Sequence, residues 1–119
     1  MNTANTDTTN MMLKILDATA LRQRVLSNNL ANVNTPAFTR KDVDFQEALS
    51  TAIKHGTVTD LKLEVKADKL SPARWDGNNV QLETELSEMT KNSLQYQTAM
   101  HVLSMNLSMQ RMAVTGRSV

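Results

Sequence analysis

Residues 79–114 read NVQLETELSEMTKNSLQYQTAMHVLSMNLSMQRMAV, 36 positions without a glycine or a proline. Apolar side chains recur at alternating steps of three and four: Leu82, Leu86, Met89, Tyr96, Met100, Leu103, Leu107 and Val114. Ser93 and Gln110 are the polar interruptions. The spacing is that of a coiled-coil-like helix. Asn78 is placed to cap its start, with Gln81 three residues on, close to a capping box. Glu83 and Glu85 lie near that start and Arg111 near the far end, as the helix dipole favours. Gly116 is the natural stop. Val102, Met105, Met109 and Met112 form a second apolar line. From Asn92 to Gln110 there is no Asp, Glu, Lys or Arg. A helix bathed in water is normally coated with Lys and Glu. Two apolar lines with small uncharged residues between them describe a helix surrounded by other helices; the plainer alternative is a long two-helix hairpin that dimerises.

Glycine and proline divide the rest of the chain. None precedes Pro36, and Pro36, Gly56, Pro72 and Gly77 all fall in the middle. A first long helix is expected from about Asn10 to Val33, on a stripe of Met12, Leu16, Leu26, Leu30 and Val33, broken by Thr19 and Gln23. Ile15, Ala18 and Val25 widen the stripe. Thr35 is pushed to an extended conformation by Pro36, which cannot continue a helix. The middle is expected to hold a short helix within Asp44–Lys54, ended by Gly56. A short half-buried strand is expected where Leu61, Leu63 and Val65 alternate with Lys62, Glu64 and Lys66. Ser71-Pro72 and Asp76-Gly77 read as turns. The organisation is thus a polar tail (1–9), an N-terminal helix (10–35), a middle interaction segment (36–78) and a C-terminal helix (79–119). Together they make one discontinuous structural domain.

Composition narrows the function class. The chain has 119 residues and a formal net charge of +1, which gives no electrostatic pull toward nucleic acid. It has no cysteine, so thiolate metal sites and disulfide scaffolds are excluded. Phe38, Phe45, Trp75 and Tyr96 are its only aromatic residues, and eight methionines stand in for them, which suits helix packing. The Asn92–Gln110 stretch carries Asn92, Gln95, Gln97, His101, Asn106 and Gln110, too many polar groups for a membrane span. The opening MNTANTDTTN has neither the basic nor the apolar region of a cleavable secretory leader. His55 and His101 have no Cys, Ser or acid constellation around them, so no enzyme, cofactor or metal chemistry is expected. Asp42 and Asp44 lack a third ligand and are expected to face solvent or an arginine rather than a cation. A 36-residue helix is about 54 Å long, whereas a compact chain of this length is roughly 35 Å across. The fold class expected is therefore mainly α and elongated. Two long terminal helices pack as a coiled-coil-like pair around an irregular middle with at most a short β element.

Ser27-Asn28-Asn29-Leu30-Ala31-Asn32-Val33-Asn34-Thr35-Pro36-Ala37-Phe38 closes the first helix. It strongly resembles the N-x-A-N-x-x-T-P-G-[FY] signature of flagellar rod and hook proteins. The match is residue by residue at Asn29, Ala31, Asn32, Thr35, Pro36 and Phe38. Ala37 departs from the signature glycine, and alanine resists the positive φ that glycine allows. Asp42-Val43-Asp44-Phe45 resembles the D-[IV]-D-F that follows in proximal rod members of the flagellar basal body rod family. Asp76-Gly77-Asn78-Asn79-Val80-Gln81-Leu82-Glu83 resembles their entry to the C-terminal helix, with Gln81 in place of an aspartate.

The resemblance implies a structural subunit of the bacterial flagellum. Such subunits leave by type III export without a cleaved signal peptide and polymerise into a periplasmic, torque-transmitting rod. Partners implied are other copies, other rod subunits, and the rod adapter protein, MS-ring and export gate at the rod base. Packing between helices or subunits is expected to use Leu16, Leu26, Leu30, Leu82, Leu86, Met89, Tyr96, Met100, Leu103 and Leu107. A soluble coiled-coil adaptor or export chaperone is the alternative; it requires a charged outer helix face, which Asn92–Gln110 lacks.

Overall fold

The computed structural model describes residues 3–56 and 61–116, with side chains of the first helix from Asp7 onward. Five elements follow in order: α1 (Thr3–Ala31), β1 (Lys41–Val43), α2 (Phe45–His55), β2 (Val65–Ala67) and α3 (Leu82–Thr115). The two long helices run antiparallel. Asn29 meets Glu85, Thr19 meets Asn92, and Thr9 meets Gln110, so the pairing climbs one helix as it descends the other. The molecule is elongated, 63 × 31 × 14 Å, with a radius of gyration of 18.1 Å. A compact chain of the same length has a radius near 13–14 Å.

α1 begins at Thr3, seven residues before the expected start at Asn10 (10 − 3). The polar residues 3–9 hold no helix breaker, and the helix runs on beside the end of α3, where Gln110 Nε2 reaches Thr9 Oγ1 at 3.5 Å. The first two residues of the 1–9 tail and the last three of the 79–119 segment lie outside the described residues.

α3 starts at Leu82 rather than Asn79, and its cap is Gln81, which makes no side-chain capping bond. Asn78 serves the other helix instead. Its Nδ2 donates to the carbonyls of Asn32, Val33 and Thr35, at 2.8, 3.1 and 2.8 Å. A helix end leaves several carbonyls without intrahelical partners. The Asn78 Nδ2 serves carbonyls of the turn just past α1, while its Oδ1 accepts from the Val80 N–H at 2.7 Å, two residues short of α3, and so does not cap that helix.

α2 matches its expectation. Asp44 Oδ1 accepts from the Glu47 N–H, and Gly56 closes the helix at φ 67°. The β element is a two-stranded antiparallel ribbon pairing Lys41 with Ala67, Asp42 with Lys66 and Val43 with Val65. β2 thus lies further along than the alternation of Leu61, Leu63 and Val65 implied, and all three of its residues are exposed. Leu63 still turns inward. With Leu21 and Val25 it packs on a small core of Ala18, Val43 and Phe45. β1 and the start of α2 therefore sit against the middle of α1.

Ala37 adopts φ 61°, the left-handed conformation that glycine would tolerate. Its N–H donates to the Asp76 carbonyl at 2.9 Å. Opposite lies Gly77, at φ 83°, where an added Cβ would come within 3.3 Å of Ala37 Cα. The two connections touch backbone to backbone, and Gly77 makes the approach possible. Left-handed backbone costs a non-glycine residue roughly 1–2 kcal/mol. Ala37→Gly is therefore expected to stabilise the chain by about 1 kcal/mol, less the entropy that glycine adds to the unfolded state. Urea denaturation of the two proteins would measure it.

Candidate functional site

Every side chain that signature and periodicity singled out has a definite place. Asn29 is fully buried in the last turns of α1. Its Oδ1 accepts from the Lys41 N–H at 2.9 Å and its Nδ2 donates to the Lys41 carbonyl at 2.7 Å, so one amide pairs with Lys41 as a neighbouring strand would. Asn32 donates to the Asn28 carbonyl and accepts from the Thr35 hydroxyl, bracing the turn that Pro36 forces. Ala31, Thr35 and Pro36 are exposed and Phe38 is half-buried. Asn79 Oδ1 accepts from the Arg40 N–H at 2.6 Å and its Nδ2 donates to the Asp68 carbonyl at 2.7 Å. Asp76 accepts from the Asn78 N–H. Arg74 reaches from the same turn to the carbonyls of Val80 and Val33. These residues tie the exit of α1 to the entry of α3.

Beside that latch lies a charge cluster the sequence reading did not assemble. Arg40, nearly buried, holds Glu85 at 2.6 Å, Asp68 at 2.7 Å and Asp42 at 3.4 Å. Glu85 is wholly buried, and Asn29 Nδ2 also approaches it at 3.3 Å. Arg22 on α1 spans Asp42 at 2.9 Å and Glu88 on α3 at 2.7 Å. Asp42 is thus an arginine partner, and Asp44 is the cap of α2. Burial alone would raise the Asp42 carboxyl. The hydrogen bonds from Arg22 and the Val43 N–H, with both guanidiniums nearby, outweigh it and hold Asp42 below the usual carboxylate range. The Ser71 hydroxyl, and after it Arg40 and the Ser71 and Leu70 N–H groups, hold Asp68 well below that range against burial. Glu88 is lowered chiefly by the hydrogen bond from Arg22.

The signal that could have revealed this cluster is a heptad. Glu85, Asn92, Ala99 and Asn106 are spaced seven apart, and all four are buried. They form the face of α3 that meets α1. Asn92 Nδ2 donates to the Thr19 carbonyl and to Gln23 Oε1, each at 2.8 Å. Three buried polar atoms along this face have no hydrogen-bond partner among the described residues: Asn92 Oδ1, Gln95 Oε1 and Asn106 Nδ2.

The apolar stripe points elsewhere. Leu82, Leu86, Tyr96, Met100 and Leu107 are between 41% and 50% exposed. Leu94, Met105 and Met109 of the flanking lines are more open still. Among the residues expected to pack, Leu26 is fully buried, while Leu16, Leu30, Met89 and Leu103 are half-buried. α3 therefore keeps polar and small residues for its own hairpin and leaves much of its apolar surface uncovered.

A family model described as flagella basal body rod protein matches residues 16–39, the stretch that carries Arg22, Asn29 and the Thr35-Pro36 elbow. A flagellar basal body rod protein FlgB from Aeromonas hydrophila is 32% identical over 107 residues, covering 78% of this chain and 81% of the relative. This chain belongs to the FlgB family of flagellar basal body rod proteins. The FlgB of Borrelia hermsii is 33% identical over 104 residues, covering 70% and 77% of the two chains. That of Bacillus subtilis is 28% identical over 108 residues, covering 81% and 84%. The chain is thus a structural component of the flagellar basal body rod. No described helix is long and apolar enough to cross a membrane.

Two outcomes test the cluster. Arg40→Met leaves the buried Glu85 and its neighbour Asp68 without their cation and is expected to cost about 3–5 kcal/mol in urea denaturation. Asp42, Asp68 and Glu88 bind protons more weakly when folded than when unfolded. Their stabilisation is complete above the ordinary carboxylate range and is lost as pH falls through their lowered folded values. Urea midpoints are expected to be flat from neutrality down to about pH 5 and to fall steadily below about pH 4.

Proposed function

We propose that this subunit polymerises into the proximal, periplasmic part of the flagellar rod after type III export without a cleaved leader. The observation that carries the reading is the outward apolar stripe of α3. Leu82, Leu86, Tyr96, Met100 and Leu107 are exposed on a helix whose inward face is already occupied by Glu85, Asn92, Ala99 and Asn106. Burying such side chains gains roughly 25 cal/mol per Å², and no other described residue covers them fully. Helices of neighbouring subunits are the natural cover. The uncharged Asn92–Gln110 surface allows several of them to approach without stranding a charge.

Assembly and ordering are coupled in this reading. The chain travels largely unfolded, the latch around Arg40 and Asn78 closes the hairpin, and the exposed stripes then find siblings. Rotation passes from subunit to subunit through the many side chains packed in this way. At the base of the rod the partners are the rod adapter protein, the MS-ring and the export gate, with further rod subunits above. No step calls for catalysis: His55 and His101 are both exposed, on α2 and α3 respectively.

Met100→Asp separates assembly from folding. The residue is 45% exposed, so the isolated chain should keep its helix content and change stability by no more than about 0.5 kcal/mol. Rod formation and swimming should both fail. Normal motility from the variant would remove the stripe from the assembly surface.

A further inference from the structure

The β1–β2 ribbon has one closed edge and one open edge. The Asp68 N–H donates to the Arg40 carbonyl at 2.8 Å, which makes Arg40 and Asp68 a hydrogen-bonded pair. Bonded and non-bonded pairs alternate along an antiparallel ribbon. Lys41 with Ala67, and Val43 with Val65, are therefore non-bonded pairs whose backbone groups point away from each other. On the β1 side the outward groups are taken. Asn29 occupies both the N–H and the carbonyl of Lys41, and Asp42 Oδ1 accepts from the Val43 N–H at 2.7 Å. On the β2 side no described residue bonds the outward groups of Val65 or Ala67, and all three side chains of the strand are exposed. An unpaired edge is a template for another strand, and a two-stranded ribbon gains stability when strands are added.

Charge decides what fits that edge. Lys62, Glu64, Lys66 and Asp68 alternate in sign along one face of the strand and its approaches. The Glu64 and Lys66 side chains are each 72% exposed, and their mutual contact is long, at 3.7 Å. A second ribbon has the same closed β1 edge, so it can offer only its own β2. Laid antiparallel with Val65 opposite Val65, the two strands bring their outward backbone groups into register. Glu64 of each copy then faces Lys66 of the other, and Lys62 faces Asp68. Centring the pairing on Glu64 instead sets Glu64 against Glu64 and Lys62 against Lys66. Centring it on Lys66 sets Lys66 against Lys66 and Glu64 against Asp68. Parallel pairing in register stacks every charge on its own copy. On the other face, Val65 stands 45% exposed beside the buried Val43, and a second Val65 covers its open side.

We propose that two copies join through β2, antiparallel and centred on Val65, into a four-stranded sheet ordered β1–β2–β2–β1. The same patch serves both copies, so the contact closes on itself and makes a pair, not a filament. It belongs to the subunit outside the rod, where it covers the open edge. The pairing rests on the ribbon and not on the outward stripe of α3.

The test uses the full chain in sedimentation across a concentration series, at low salt where exposed charges are least screened. The parent should form a reversible dimer, and amide exchange at Val65 and Ala67 should slow as it does. By symmetry, Glu64→Lys or Lys66→Glu turns two attractive pairs into repulsive ones, so each variant should dimerise roughly tenfold more weakly. Both side chains are exposed, and circular dichroism should match the parent. Mixing the two variants should recover a heterodimer, because one chain brings two lysines and the other two glutamates. The doubly reversed chain, Glu64→Lys with Lys66→Glu, should dimerise as the parent does, and so should Met100→Asp, which lies off the ribbon. A parent that stays monomeric, single reversals that associate like the parent, or a mixture that stays monomeric would overturn the joint. A dimer lost in Met100→Asp but kept in the charge variants would be a contact of the α3 stripe; it would overturn the joint and leave the subunit reading standing.

Discussion

Arg40 is the residue on which the hairpin turns. Its guanidinium sits between Glu85 of α3 and Asp68 of the middle segment, while its backbone N–H is taken by Asn79. A carboxylate as buried as Glu85 is tolerated only beside a cation with good geometry and further donors. Arg40 and the Asn29 amide provide both. Because Asn29 also grips Lys41, and Asp68 grips Ser71 and Leu70, one ionic contact fixes four segments that are distant in sequence. The loops have little apolar core to hold them: Ala18, Val43 and Phe45 make up the buried cluster. Polar geometry takes that role.

An amphipathic helix usually turns its apolar stripe inward. α3 does so only in part: Met89 and Leu103 are half-buried, and the rest of the stripe is about half open or more. A hairpin closed through its leucines and methionines would have little left to offer another molecule. By closing through Glu85, Asn92, Ala99 and Asn106, the chain keeps its apolar surface for contacts between molecules, and the polar seam fixes register. The orphaned Asn92, Gln95 and Asn106 atoms show the same logic: the seam is only partly satisfied within one chain.

Much of the architecture was legible in residue order. The absence of breakers on either side of the middle announced the two long helices, and Asp44 and Gly56 bounded α2. The signature around Asn29–Phe38 announced the family. Three things were not legible, each for a physical reason. Asn78 looked like the cap of the helix it precedes, but its Oδ1 turns to the Val80 N–H, short of α3, and its Nδ2 finds the carbonyls of Asn32, Val33 and Thr35 just past α1, 43 to 46 residues away. The ribbon slid from Leu61–Val65 to Val65–Ala67 because its partner, Lys41–Val43, is too short to show an alternation of its own. The stripe of α3 was read correctly as helical, yet periodicity says only that one face differs from another. Which face meets α1 was decided by Arg40 and Arg22, and these pair with Glu85 and Glu88 only in three dimensions.

The latch is also lopsided. Asn29, Arg40, Asn78, Asn79 and the Ala37–Gly77 contact crowd one end of the hairpin, and the far end includes the long 3.5 Å approach of Thr9 and Gln110. The alignment of the two arms is therefore set from one end, as a hinge pin sets both leaves of a door.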